Sequence, residues 1–266
     1  MDAGPPGPQE SPEPHGAART NGGLAVENAD FHARLSTDAL QLRAILADGD
    51  LAREVPGCPG WDLAELGQHV GGIYRFATVG IVEGRGEDEP TGPRERAELL
   101  DWFDAGLAGL LAAFEPRDWD RECWTLSPPH RVGFWVRRMC HETSLHLWDA
   151  ETAQGRSPRI DPALAADGAD EVVTMFFPRQ VRLGRIAPLR DSVQVVLTDR
   201  PGAPAMMLSG NGSVQAEAVV SDAVVRGPAS DVLLMLWKRL PRFPSTVEVD
   251  GDWEAFERVF ATALTP

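Results

Sequence analysis

Residues 133–153 read as one helix, and within it Glu142 and His146 stand four residues apart. On a helix that spacing brings both side chains to one face, so the fold must turn that face to water or supply partners for a carboxylate and an imidazole. Arg138 lies four residues before Glu142 and Asp149 three after His146, extending the polar stripe. Three helical segments precede it. Residues 30–48 carry Phe31, Leu35, Leu40, Leu42 and Leu46 roughly along a stripe. A second helix opens at Asp62, with Glu65 completing a capping-box pair, and continues through Val70, Ile73 and Phe76. Residues 94–114 add a strong stripe that includes Leu99, Trp102, Phe103, Leu107 and Leu110, and Pro116 ends it. Four amphipathic helices predict a bundle, an architecture that builds metal sites from inward-facing side chains on adjacent helices.

The second half reads differently. A helix over residues 162–177 leads to strand-like runs at 192–198, 205–208, 213–219 and 222–226, separated by Gly, Pro and Asn. Gly227-Pro228 begins a helix over 229–240, followed by a short strand near Val247 and a last helix over 252–263. The expected class is α+β: a four-helix bundle over residues 28–156 and a smaller α+β domain over 157–266. Residues 1–27, rich in Pro, Gly and Glu, form an expected disordered tail, and His15 within it is discounted as a ligand.

With 266 residues, 43% of them hydrophobic, the chain can bury one large core or two smaller ones. A formal charge of −15, with no basic run, argues against nucleic acid as a partner. No apolar run approaches the roughly 20 residues needed to cross a bilayer, and the first residues lack a signal-like apolar stretch, so a soluble, cytoplasmic protein is expected. Cys58, Cys123 and Cys140 are too few and scattered for a disulfide framework, which fits a reducing compartment; each reads as a small apolar residue or an ordinary thiol.

His69, well inside the second helix, offers another imidazole. Together His69, Glu142 and His146 have the residue types of a two-histidine, one-carboxylate metal site, with zinc the first expectation and open positions left for chemistry. Arg138 and Asp149 are placed to hold such ligands from behind. The competing expectation is a hydrogen-bonded core His69, with Arg138, Glu142 and His146 forming a solvated face that carries an ion pair. His141 and His146 are five residues apart rather than the four of a zincin motif, so they diverge around the helix and a zincin protease is rejected. His130, beside Pro128 and Pro129, is read first as a surface residue, with a fourth ligand or a general base as alternatives. Walker, dinucleotide and G-x-S-x-G signatures are missing.

Val55-Pro56-Gly57-Cys58-Pro59-Gly60-Trp61-Asp62, followed by Leu66-Gly67-Gln68-His69, resembles the opening of the mycothiol-dependent maleylpyruvate isomerase family. Arg226-Gly227-Pro228-Ala229-Ser230-Asp231 through Trp237-Lys238-Arg239 is similar to that family's small C-terminal domain. The resemblance implies a DinB-like metal-binding bundle in which His69, Glu142 and His146 hold a divalent metal, and it implies mycothiol as cofactor. Arg239 is the implied counterpart of an arginine that helps bind the anionic substrate or cofactor, with Arg226 as second choice; an ordinary arginine at a helix C-terminus is the alternative. In the family's type enzyme, thiolate adds to an activated double bond, rotation follows, and elimination gives the trans product. The implied function here is cis–trans isomerisation or thiol transfer on a small electrophilic or anionic substrate. A non-catalytic metal- or small-molecule-binding regulatory module on the same fold is the competing expectation.

Overall fold

The computed structural model describes residues 26–212, 220–240 and 242–266. The bundle comprises α1 (Asn28–Asp48), α2 (Leu63–Val82), α3 (Arg96–Ala113) and α4 (Val132–Ala153). The start of α2 is fixed locally: Asp62 accepts from the Glu65 N–H, and the Glu65 carboxylate accepts from the Asp62 N–H, each at 2.9 Å. α1 packs on α4, and α2 packs on α3. The second contact depends on Gly71, where a Cβ would lie 2.5 Å from the Trp102 Nε1. Trp102 uses that closeness to donate to the Gln68 carbonyl at 3.3 Å while the Arg75 guanidinium covers its ring. Leu35, Leu42, Leu63, Leu66, Tyr74, Phe103 and Trp135 are fully buried between the helices.

α4 is the central helix. Residues 138–150 are all buried: α1 and α2 pack on this helix, α5 (Pro162–Glu171) meets its Arg137 and His141 side, and Cys58 from the loop before α2 reaches Asp149 near its end. Arg137 donates to Asp167 of α5 at 2.6 Å, His141 meets the same carboxylate at 2.7 Å, and Arg138 pairs with Glu171.

The helix expected over 162–177 is longer and interrupted. A π-helical turn, Val172–Phe176, joins α5 to α6 (Phe177–Arg182), with the Phe177 N–H bonding the Val172 carbonyl. Pro178 explains the interruption, since it lacks an N–H and its ring would meet the carbonyl four residues back; a wider turn relieves both problems.

β1 (Leu189–Leu197), β2 (Met206–Gly210), β3 (Ala223–Gly227) and β4 (Glu248–Gly251) form, among the described residues, a sheet of order β2-β1-β3-β4. β1 pairs antiparallel with β2 and parallel with β3, Val195 standing opposite Val225; β4 closes the edge antiparallel to β3. α8 (Trp253–Ala261) packs against β1 and β3 with Phe256 and Val259 buried. The strand expected at 213–219 and residues 1–25 of the expected tail lie outside the described residues. No described helix is long and apolar enough to cross a membrane.

α7 (Ala229–Leu236) stops four residues earlier than its expected end. The Lys238 N–H bonds the Met235 carbonyl and the Arg239 N–H bonds the Leu234 carbonyl, a Schellman closure with Lys238 at φ 58°. That turn sends Arg239 back toward the bundle, where its Nε donates to Asp149 of α4.

Candidate metal centre

Arg138, Glu142, His146 and Asp149 form one stripe on α4, and it is not solvated. Their exposures are 2%, 9%, 4% and 0%, which overturns the expectation of a solvated face. Burying that many ionisable groups demands partners for each, and the neighbouring elements provide them. α2 contributes His69, the loop after α2 contributes Glu89, the loop before it contributes Cys58, and α5 contributes Glu171.

His69 Nε2 lies 2.9 Å from Glu142 Oε1, and His146 Nε2 lies 3.1 Å from the same oxygen. One potential ligand atom from each of these residues falls within 4.8 Å of the others. The opposite nitrogen of each imidazole meets a carboxylate: His69 Nδ1 is 2.8 Å from Glu89 Oε1, and His146 Nδ1 is 3.0 Å from Asp149 Oδ2. A neutral imidazole that donates from Nδ1 keeps its Nε2 lone pair, so both rings can present a lone pair to the point that Glu142 Oε1 also faces. Glu142 Oε2 accepts from Arg138, whose other nitrogen is held by Glu171. Two neutral imidazoles and one carboxylate oxygen, each oriented from behind, fit a divalent cation such as zinc. Cys58, His146 and Asp149 make a second, overlapping group of close donors, but both Asp149 oxygens accept from Arg239, at 3.0 and 3.1 Å.

The electrostatics agree with this closeness. Burial opposes ionisation of Glu142, yet Arg138 and the two imidazoles outweigh it and hold the carboxyl well below its ordinary value. Burial likewise opposes charge on His146, while Asp149, Cys58 and Glu142 raise it well above 6.5. His69 is also raised against the effect of burial, through Glu142 and Glu89. In the metal-free protein the imidazoles therefore favour protons in the place a cation would take.

The site opens on a cavity of about 480 Å³ lined by His69, Glu142, His146, Arg138, Arg239, Cys58 and a largely aromatic wall. Trp61 stands over both imidazoles, with centroids 4.9 Å from His69 and 6.1 Å from His146. Arg239 lines this cavity and also donates from Nη1 to the Trp237 carbonyl at 3.1 Å. Arg226, on β3, is not in its wall. His130 is exposed, with its Nδ1 2.8 Å from the Thr125 hydroxyl, and lies apart from the cavity, as the surface reading expects. His141 points away toward Asp167. Glu89, Glu171 and Trp61 were not foreseen as parts of the site. Cys58, read as a small apolar residue or an ordinary thiol, is buried and has its Sγ 3.4 Å from Asp149 Oδ2; its local signal is its place directly before Pro59-Gly60-Trp61.

Residues 32–151 match the model of the mycothiol maleylpyruvate isomerase N-terminal domain, and residues 163–258 match the C-terminal domain of the same family. Two solved structures share the fold. A crystal structure of the mycothiol-dependent maleylpyruvate isomerase is 15% identical, with TM-score 0.56, covering 85% of this chain and 93% of its own. A histidine-to-alanine mutant of that isomerase is 14% identical, with TM-score 0.55 and the same coverage. No curated protein matches the chain.

Proposed function

Because the chain belongs to the mycothiol maleylpyruvate isomerase family through both of its matched domains, we propose that it is a divalent-metal-dependent enzyme. It uses mycothiol in the cytosol for cis–trans isomerisation of, or thiol transfer to, a small electrophile. The observation that carries this reading is the approach of His69, Glu142 and His146 to one point in the wall of the 480 Å³ cavity. That cavity is of the size small-molecule sites have.

When bound, the cation would supply Lewis acidity that favours thiolate over thiol, and the thiol a nucleophile that adds reversibly to an activated double bond. The chain's own residues do the rest. His69, Glu142 and His146 are the proposed ligands. Glu89 and Asp149 keep the Nδ1 protons in place, so that both Nε2 atoms stay available. Arg138 keeps Glu142 anionic and fixes which oxygen faces inward. Arg239, anchored through Nε, can offer remaining N–H groups to an acceptor on the thiol. Trp61, Phe76 and Trp135 make the lining around these groups apolar.

Metal analysis of the purified protein beside the His69→Ala and His146→Ala variants tests the ligands: wild type should hold close to one equivalent of zinc and each variant much less. Full occupancy in both variants would exclude these residues. A mycothiol titration followed by electrophile assays tests the chemistry. Tight thiol binding without product in any assay would leave a binding module and not an enzyme.

A further inference from the structure

We propose that the electrophile this site accepts is an uncharged, flat, apolar molecule, such as a conjugated carbonyl or aromatic compound, and not a small dicarboxylate. This rests on the thiol-dependent reading above and names the substrate class for it.

Two observations carry the inference independently. The first is the wall. Phe76, Leu126, Trp135, Met139, Phe176 and Trp237 are among the residues that line the cavity. Phe76 meets Trp135 edge-on at 5.7 Å and Phe176 meets Trp237 edge-on at 5.2 Å, which makes two aromatic corners. Such corners offer ring faces and edges to a flat partner.

The second is the charge balance. Among the described residues, the cavity wall holds two guanidiniums, and both already face carboxylates. Arg138 lies between Glu142 and Glu171 with its side chain only 3% exposed. Arg239 lies on Asp149, whose side chain is 0% exposed. The remaining charged wall residue, Glu89, is acidic. A divalent cation on His69, Glu142 and His146 adds two positive charges; Glu142 balances one and Glu89, beside His69, the other, so that a bound thiolate leaves the wall net negative. A dianionic substrate would then enter a low-polarity cavity with no unbalanced cation to meet it, and desolvating it there is unfavourable. A neutral conjugated molecule pays no such penalty and gains the aromatic contacts.

Calorimetric titration of the full-length protein, both metal-free and zinc-loaded with metal content verified, compares two unreactive probes: 2,4-dinitrotoluene, flat and neutral, and maleate, a small dianion. The neutral probe should bind at least about tenfold more tightly in both forms. Trp237→Ala and, as a second variant in case that one misfolds, Phe76→Ala should each weaken it about fivefold or more, with circular dichroism reporting the fold. Leu126→Arg, which adds a guanidinium without a partner to the wall, should gain maleate binding. The proposal is overturned if maleate binds the wild type as tightly as dinitrotoluene, or if both aromatic truncations leave the neutral probe unaffected. Because the metal-free arm needs neither cation nor thiol, failure of the metal reading appears separately, in the zinc content of the histidine variants.

Discussion

Replacing Gly57 by alanine probes whether the residues behind the imidazoles govern the metal. Gly57 belongs to the turn before α2 and touches none of the proposed ligands, but a Cβ there would sit 2.1 Å from Asp149 Oδ1 and 2.9 Å from the Arg239 Cδ. Ordinary contact begins near 3.4 Å, so the carboxylate oxygen must retreat by roughly 1.3 Å. Asp149 holds Arg239 at 3.0 and 3.1 Å and His146 Nδ1 at 3.0 Å, and a movement of that size carries these contacts beyond hydrogen-bonding range. Loss of charged hydrogen bonds at a fully buried aspartate should cost about 2–4 kcal/mol. For a chain of this length that is a fall of roughly 5–12 °C in Tm by calorimetry. With His146 no longer oriented, zinc affinity in a chelator competition assay should drop about 10- to 100-fold. Gly60→Ala is the control: its φ of 87° strains an alanine, but nothing lies within 4 Å of the added carbon. It should lose about 1–2 kcal/mol of stability and no zinc affinity. Wild-type zinc affinity in Gly57→Ala, or an equal loss in Gly60→Ala, would refute the idea that Asp149 sets the imidazole.

Other outcomes are expected. Glu171→Ala, which leaves buried Arg138 with Glu142 alone, should destabilise the protein by about 3–5 kcal/mol in urea titration; a loss below about 0.5 kcal/mol would dismiss the bridge. Lys238→Gly, at a left-handed position, should gain about 0.5–1 kcal/mol, and an unchanged or lower Tm would show that no strain is stored there. In the metal-free protein the raised His69 and His146 contribute stability that is fully present below about pH 6.5 and lost as pH rises through their folded-state values, so Tm should fall as pH rises above about 6.5. Zinc affinity should move the opposite way, weakening on acidification as protons reclaim the imidazoles; an affinity independent of pH would remove both histidines from the ligand set.

Much of the α4 stripe could be read from its spacing, because side chains three and four residues apart on a helix are neighbours whatever else the chain does. The Asp62 and Glu65 cap is equally local, and it set the phase in which His69 meets Glu142. What spacing does not carry is a contact between distant segments. Glu171 reaches Arg138 across 33 residues and Arg239 reaches Asp149 across 90, and neither sequence neighbourhood marks the partner. Glu89 sits in a polar loop among Glu87 and Asp88, where no periodicity singles it out. The same blindness made a solvated α4 face plausible: the stripe is polar, and only the arrival of His69, Cys58, Glu171 and Arg239 from four other segments encloses it. The early stop of α7 has a backbone cause, a left-handed lysine, which residue identity does not advertise.

Arg138 joins a bundle residue, Glu142, to Glu171 on the first helix beyond the bundle. The halves of this protein are therefore not interchangeable cassettes. A chimera that grafts the bundle onto a foreign partner would carry all three proposed ligands and Arg138 unaltered, yet lose Glu171, the carboxylate that holds this buried guanidinium from the far side. Lineages that exchange the trailing half must restore an acidic residue opposite this guanidinium or relinquish the arginine along with it.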